Sequence, residues 1–176
     1  MIRIRKARMA DVEKMQDLVN HHAKAGRMLA RSLLELYENL RDFYVAAEGG
    51  RLLGTAALHT SWEDLAEVKS VAVAEGRQGQ GLGRKLVEQC LTEAKALGVS
   101  RVFALTYVPG FFEKLGFGRI ERSELPHRVW AECLRCPEFP DCGEIAMMRE
   151  LPRKRRSRRL KKAGKAARKP AGRKRS

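Results

Sequence analysis

The run Gln78-Gly79-Gln80-Gly81-Leu82-Gly83 constrains this chain more than any other stretch. It follows a strand-like segment, 68–74, and precedes a long helical pattern, 84–97. Three glycines let the backbone come close to a bulky group where a Cβ would stand in the way. A helix that starts straight after them turns its unpaired N–H groups, and the positive end of its dipole, into the same space. Strand, glycine turn and helix in that order predict a cradle for a pyrophosphate.

The 176 residues suffice for one domain with a core. The formal charge of +15 is unevenly spread. Fourteen of the 36 Lys and Arg lie in 152–176, which holds no acid, so 1–151 carries the other 22 against all 21 acids. Residues 152–176 contain one large apolar side chain, Leu160. Such a segment cannot bury enough surface to offset its ordering entropy and is expected to be disordered. The chain therefore divides into a domain, 1–151, and a Lys/Arg-rich tail, 152–176. A tail of this charge, with no aromatic and no base-reading motif, suits non-specific contact with nucleic acid. No apolar run reaches the length of a membrane span. The N-terminus, Met1-Ile2-Arg3-Ile4-Arg5, alternates like a strand and lacks the apolar core of a signal peptide. Four cysteines without a secretory signal read as reduced thiols, and the expected location is the cytoplasm.

Periodicity predicts a strand at 2–7 and a helix at 11–25, with Val12, Met15, Leu18 and Val19 on one face and Gly26 ending it. Ser32-Leu33-Leu34-Glu35 has the form of a capping box and predicts a second helix to about residue 40. Segments 43–47 and 51–60 flank Glu48-Gly49-Gly50, a hairpin signal. A strand is expected at 65–74, a helix at 82–97 stopped by Gly98, and a strand at 101–108. A short helix at 109–115, an extended segment from Gly116 and a last strand at 144–151 complete the series. The order β-α-α-β-β-β-α-β-α-β predicts an α/β (α+β) domain on a mixed sheet. A dinucleotide fold is excluded, because a hairpin precedes the glycine loop and no acid ends the following strand where a ribose would need one.

The glycine loop matches the Q/R-x-x-G-x-G/A motif of the GNAT N-acetyltransferases, and Phe111-Phe112-Glu113-Lys114-Leu115-Gly116-Phe117 resembles their second signature, F-Y-x-x-x-G-F. The resemblance covers about 1–151. It implies a mostly antiparallel central sheet with splayed central strands, flanked by helices, and acetyl-CoA as cosubstrate. It also implies a set of cofactor-binding residues. Gln78, Gly79, Gln80, Gly81, Leu82, Gly83 and Arg84 would hold the pyrophosphate, and Val71, Ala72 and Val73 the pantetheine arm and thioester oxygen. A narrower likeness is to the N-acetylglutamate synthases. Leu29-Ala30-Arg31-Ser32-Leu33 resembles the segment that carries their carboxylate-binding arginine. Glu67-Val68-Lys69-Ser70-Val71-Ala72-Val73 resembles their central strand, with its second cation. Leu125-Pro126, Val129-Trp130, Cys133, Cys136-Pro137 and Cys142 look like the end of the short, single-domain synthases. This likeness implies acetylation of the α-amine of L-glutamate, the first step of arginine biosynthesis.

Such a transfer needs a neutral amine, a donor for the oxyanion, and a proton or field for the departing thiolate. Glu67 is the candidate base, acting through a water; a solvent-facing strand residue is the alternative. Arg31 offers a planar fork to one carboxylate of glutamate and Lys69 a point charge to the other. Against this, Arg31 could sit in a surface loop and Lys69 could pair with Glu67, two residues away. The family often has, at the place of Phe112, a tyrosine that protonates the thiolate. Phe112 cannot do this and is expected to pack on the pantetheine or in the core, which leaves Tyr107 as the candidate substitute. Arg77 and Arg84 flank the loop and could add charge. Cys133, Cys136 and Cys142 supply three ligands where zinc takes four, and His127 would have to complete the set. No metal is therefore expected, and the three thiols should lie in a compact loop closing the substrate side. Cys90 reads as core. His21 and His22 end the first helix, where imidazolium suits the dipole, and nothing beside His59 suggests a triad. Two other readings are a protein lysine or N-terminal acetyltransferase and a non-catalytic CoA-binding domain with a nucleic-acid-binding tail. Two cations favour a small dianionic acceptor over a lysine, which they would repel. The oligomeric state, a homodimer included, stays open.

Overall fold

The structure, a computed structural model, describes residues 1–126, 129, 133, 134, 136, 138 and 141–152. His127, Trp130, Pro137 and the expected tail beyond Pro152 lie outside the described residues. The elements are β1 (Arg3–Lys6), α1 (Val12–Lys24), α2 (Leu33–Glu38), β2 (Phe43–Glu48), β3 (Arg51–Trp62), β4 (Leu65–Val73), α3 (Leu82–Leu97), β5 (Arg101–Thr106), α4 (Pro109–Glu113), β6 (Gly118–Arg119) and β7 (Ile145–Glu150). They form one seven-stranded sheet in the order β1-β2-β3-β4-β5-β7-β6, antiparallel at every junction except β4–β5.

Alternation along β3 sends neighbouring side chains to opposite faces. Ala57 joins Val12, Met15, Leu36, Phe43 and Val45 beneath α1 and α2. Leu58 joins Val68, Leu86, Val87, Cys90 and Val102 beneath α3. The β2–β3 hairpin turns through Gly49 (φ +54°) and Gly50 (φ +77°), both in the left-handed region that a tight primed turn requires. The capping box forms: the Glu35 N–H donates to Ser32 Oγ at 3.2 Å and the Ser32 N–H to Glu35 Oε2 at 2.8 Å. The extended segment expected after Gly116 is β6, two residues long on the edge of β7.

The arrangement that positions the site is at β4 and β5. They pair only through Leu65–Arg101, Ala66–Val102 and Glu67–Phe103. Asp64, in the two-residue turn between β3 and β4, clamps this end. Its carbonyl accepts the N–H groups of Ser100 (3.1 Å) and Arg101 (2.9 Å), and its carboxylate meets the Arg101 guanidinium at 3.0 Å. Beyond Glu67, β4 continues along β3 while β5 stays with β7 to Thr106. The two strands diverge, as the resemblance implied.

A bulge on β4 accompanies the divergence. Thr55 pairs with Ala72 and Ala57 with Lys69, so Ser70 and Val71 oppose the single residue Ala56. Ser70 adopts a φ of +52° there, and its buried hydroxyl has no hydrogen-bond partner among the described residues. A non-glycine residue in that region costs about 1–3 kcal/mol and persists only where its surroundings impose it.

Candidate active site

Between the diverging strands lies a cavity of about 850 Å³. One wall is β4 from Glu67 to Val73; the other is Leu105 to Val108 with Phe111 and Phe112. The α1–α2 connection closes the top with Arg31, and Cys133, Cys136, Cys142 and Glu144 stand on the far side.

At the α3 end, Gln78 and Gly83 line the cavity. Gly79, Gln80 and Gly81 continue past it in the open, while the Leu82 side chain is buried in the core. Gly79 (φ +74°) and Gly81 (φ +77°) need their left-handed backbone, and a Cβ on either would meet nothing within 4 Å, so the space before them is open to a ligand. Gly81 caps α3 without a side-chain acceptor. The first N–H groups of this 16-residue helix thus lack helical acceptors and point outward with the dipole. Arg84 binds Glu88 at 2.7 Å and Arg77 binds Glu48 at 3.2 Å, so both flanking arginines are engaged on the surface. His22, read from the sequence as a dipole partner, is buried instead. Its Nε2–H donates to the Val73 carbonyl at 2.8 Å and its Nδ1 accepts from Arg27 at 3.2 Å, in the tautomer those partners select. It pins the free end of β4.

At the opposite end the charged residues converge. The main chain of Arg31 is tied to α1: its N–H donates to Asn20 Oδ1 at 2.9 Å, and its carbonyl accepts from Asn20 Nδ2 at 3.1 Å and Gln16 Nε2 at 3.2 Å. Its guanidinium lies 3.5 Å from the Glu35 carboxylate. Glu67 and Lys69 stand 3.4 Å apart on one strand face, with only 12% and 16% of their side chains exposed. Both face the cavity, so pairing and lining hold together. Burial, and then the nearby Glu67, push the Glu144 carboxyl above its usual range. Burial, followed by Glu144, raises the Tyr107 hydroxyl to about 12. That hydroxyl keeps its proton at neutral pH.

Arg122 supports this wall, donating to the Cys142 carbonyl at 3.3 Å, to Cys142 Sγ at 3.2 Å and to the Glu144 carbonyl. All four cysteines are free thiols. Among the described residues, no three His, Cys, Asp or Glu are placed to hold a metal ion. Phe112 is buried and packs edge-to-face between Phe111 (5.1 Å) and Phe117 (5.2 Å). Phe111, the first residue of that signature, is the half-buried ring beside it on the cavity.

His59, beside which the sequence suggested no partner, has two close neighbours. Its Nδ1 lies 2.6 Å from Asp42 Oδ2, and it is the direct cross-strand partner of Glu67. The two-residue turn Glu63-Asp64 alone would set His59 opposite Val68; a register shift between Thr60 and Trp62 brings it to Glu67 instead, and no residue marks that shift in the sequence. No signal points to Glu144 either, which reaches the cavity through the pairing of β5 with β7.

The cavity therefore has the uncapped start of α3 at one end, an unpaired strand edge along its middle, and cations with carboxylates at the other end. The model of the acetyltransferase (GNAT) family matches residues 9–117, and the chain belongs to that family of N-acetyltransferases. It is 38% identical over 148 residues to an uncharacterized N-acetyltransferase of Chlorobaculum tepidum, covering 84% of this chain and 96% of that one. It is 37% identical over 136 residues to the amino-acid acetyltransferase of Mycobacterium tuberculosis, covering 75% of this chain and 77% of that one. Among solved structures, the N-acetylglutamate synthase of Neisseria gonorrhoeae, complexed with coenzyme A and N-acetyl-glutamate, superposes with a TM-score of 0.78 at 27% identity. The match covers 87% of this chain but 36% of that enzyme, so this chain spans about a third of its length. No helix among the described residues is long and apolar enough to cross a membrane.

Proposed function

We propose that this chain transfers the acetyl group of acetyl-CoA to the α-amine of L-glutamate. One observation carries the reading. Arg31 and the Glu67–Lys69 pair face the same cavity, whose other end opens at the uncapped start of α3. The amino-acid acetyltransferase among its relatives supports it, as does the synthase with its bound coenzyme A and N-acetyl-glutamate.

Acetyl-CoA supplies an activated acyl carbon on a long carrier with a pyrophosphate. The open space before Gly79 and Gly81 and the free edge of β4 fit such a carrier. Main-chain N–H groups of 78–84 hold the pyrophosphate, with the Gln78, Gln80 and Leu82 side chains directed elsewhere. Val71, Ala72 and Val73 offer their backbone to the pantetheine, and the bulge at Ser70 aims one of these N–H groups at the thioester oxygen. Arg31 grips one carboxylate of glutamate bidentately and Lys69 the other. Glu67 takes a proton from the ammonium through a water. Tyr107 donates a hydrogen bond to the departing sulfur. Its hydroxyl, at about 12, binds its proton more tightly than a thiol does, so it steadies the thiolate without surrendering the proton outright. Phe112 packs behind the arm.

A thiol-release assay tests this. Purified protein with acetyl-CoA is offered each of the twenty amino acids and a lysine-bearing peptide. Saturable release with L-glutamate, and a product heavier by one acetyl group, is expected. Release with the peptide alone would make the chain a protein acetyltransferase and overturn the assignment.

A further inference from the structure

We infer that His59 and Asp42 form the proton exit of this reaction, carrying to solvent the proton that Glu67 takes from the acceptor amine. The inference rests on the function proposed above. An ammonium acceptor loses two protons as its N–C bond forms and the C–S bond breaks. One passes from the attacking nitrogen to the departing thiolate, and the other, which Glu67 has taken, must leave the protein before the next turnover. Glu67 is 9% exposed and faces Lys69 at 3.4 Å, so its contact with bulk water is small and lies through the cavity that the two substrates fill.

His59 stands where an exit is needed. It lines the cavity and lies directly opposite Glu67 on the neighbouring strand. Such cross-strand pairs hold their Cβ atoms about 5 Å apart, within the reach of one water between a carboxylate and a ring nitrogen. The Nδ1 of His59 meets Asp42 Oδ2 at 2.6 Å, with side chains 30% and 26% exposed. The dyad thus spans from cavity wall to solvent. With Nδ1–H donated to Asp42, Nε2 is left as the ring's acceptor for a water shared with Glu67. Imidazole is the side chain whose two protonation states interconvert near neutral pH, and a fixed carboxylate on its far nitrogen steadies the transient cation. The charged groups around the route are Asp42 from the turn after α2, Glu67 and Lys69 from β4, and Glu35 and Glu38 of α2, which line the same cavity. Arg31, 3.5 Å from Glu35, and Arg122 and Glu144 line the cavity as well, so the route rests on the placement of His59 and Asp42 rather than on a net field.

The test measures kcat for wild type, His59→Gln and Asp42→Asn across pH, at low and high buffer concentration and with added imidazole. General acid–base groups contribute about 100-fold or more, and a relay that water can partly replace contributes less. His59→Gln is expected to lower kcat about tenfold in dilute buffer, with both KM values within about twofold of wild type, and concentrated buffer or imidazole to restore most of the loss. Asp42→Asn is expected to show a smaller, equally buffer-sensitive loss; should His59→Gln fail to fold, this variant decides the matter alone. An unchanged kcat in dilute buffer, or a loss that no buffer restores, would overturn the relay while leaving the acetyltransferase reading intact. Absence of turnover by wild type with any amine would overturn both.

Discussion

Arg31 shows how a single side chain is placed by its backbone. Two amide side chains of α1 hold its main chain, so the guanidinium projects into the cavity from a fixed base, though it stands in a connection between helices. Truncation removes a charge-assisted contact worth about 1.5–3 kcal/mol. Arg31→Ala should raise the glutamate KM about 10- to 100-fold and leave the acetyl-CoA KM unaltered in steady-state kinetics. Glu67→Gln keeps shape and removes the base; kcat should fall about 100-fold while the calorimetric affinity for coenzyme A stays within about twofold. The pairing of Glu67 with Lys69 was legible, because alternate residues of a strand share a face. His59 and Glu144 were not recognised, since their neighbours come from other strands. His59 meets Glu67 only through β3–β4 register, and Glu144 enters at the turn into β7.

At the scale of elements, the glycine loop and α3 were readable to the residue: Gly81 opens the helix and Gly98 (φ +87°) closes it. Gly81→Ala forces a Cβ into left-handed backbone at a cost of about 1–2 kcal/mol. Thermal melts should register that loss, and the acetyl-CoA KM should rise while the glutamate KM holds. Strand ends were less readable. β5 stops at Thr106 rather than 108, because Thr106 Oγ accepts the Val108 N–H at 3.0 Å and turns the chain across the cavity. α2 stops at Glu38 because the Asn39 side chain donates to the Glu35 carbonyl at 2.8 Å, and Leu40 passes into a 3₁₀ turn. The bulge at Ser70 left no mark in the sequence. Serine is ordinary in a strand, and its positive φ is imposed by the strands around it.

Over the whole molecule, the β2–β3 hairpin, the amphipathic helices and the mixed character of the sheet were visible in the sequence, whereas the insertion of β7 between β5 and β6 was not. The opening between β4 and β5 was implied by family resemblance alone, because strand propensity does not say where pairing stops. Among the acid-sensitive ties is one between β1 and the start of α1. Arg5 holds Asp11 through bonds of 2.6 and 3.0 Å, and this guanidinium, against the opposing effect of burial, keeps the Asp11 carboxyl below its usual range. A depressed carboxylate binds fewer protons in the folded than in the unfolded chain. Its contribution is therefore complete above about pH 4 and lost as pH falls through the folded value. In melts from pH 7 to pH 2.5, wild type should exceed Asp11→Asn by about 1–3 kcal/mol near neutrality, and the gap should close in acid. The proposed transfer finally requires two ligands in one cavity, with coenzyme A on the amides of 78–84 and glutamate between Arg31 and Lys69. Calorimetric titration of the full chain with coenzyme A, then of that complex with L-glutamate, should give one site per chain for each, whereas no heat with coenzyme A would contradict the proposed seat of the cosubstrate and the transfer that depends on it.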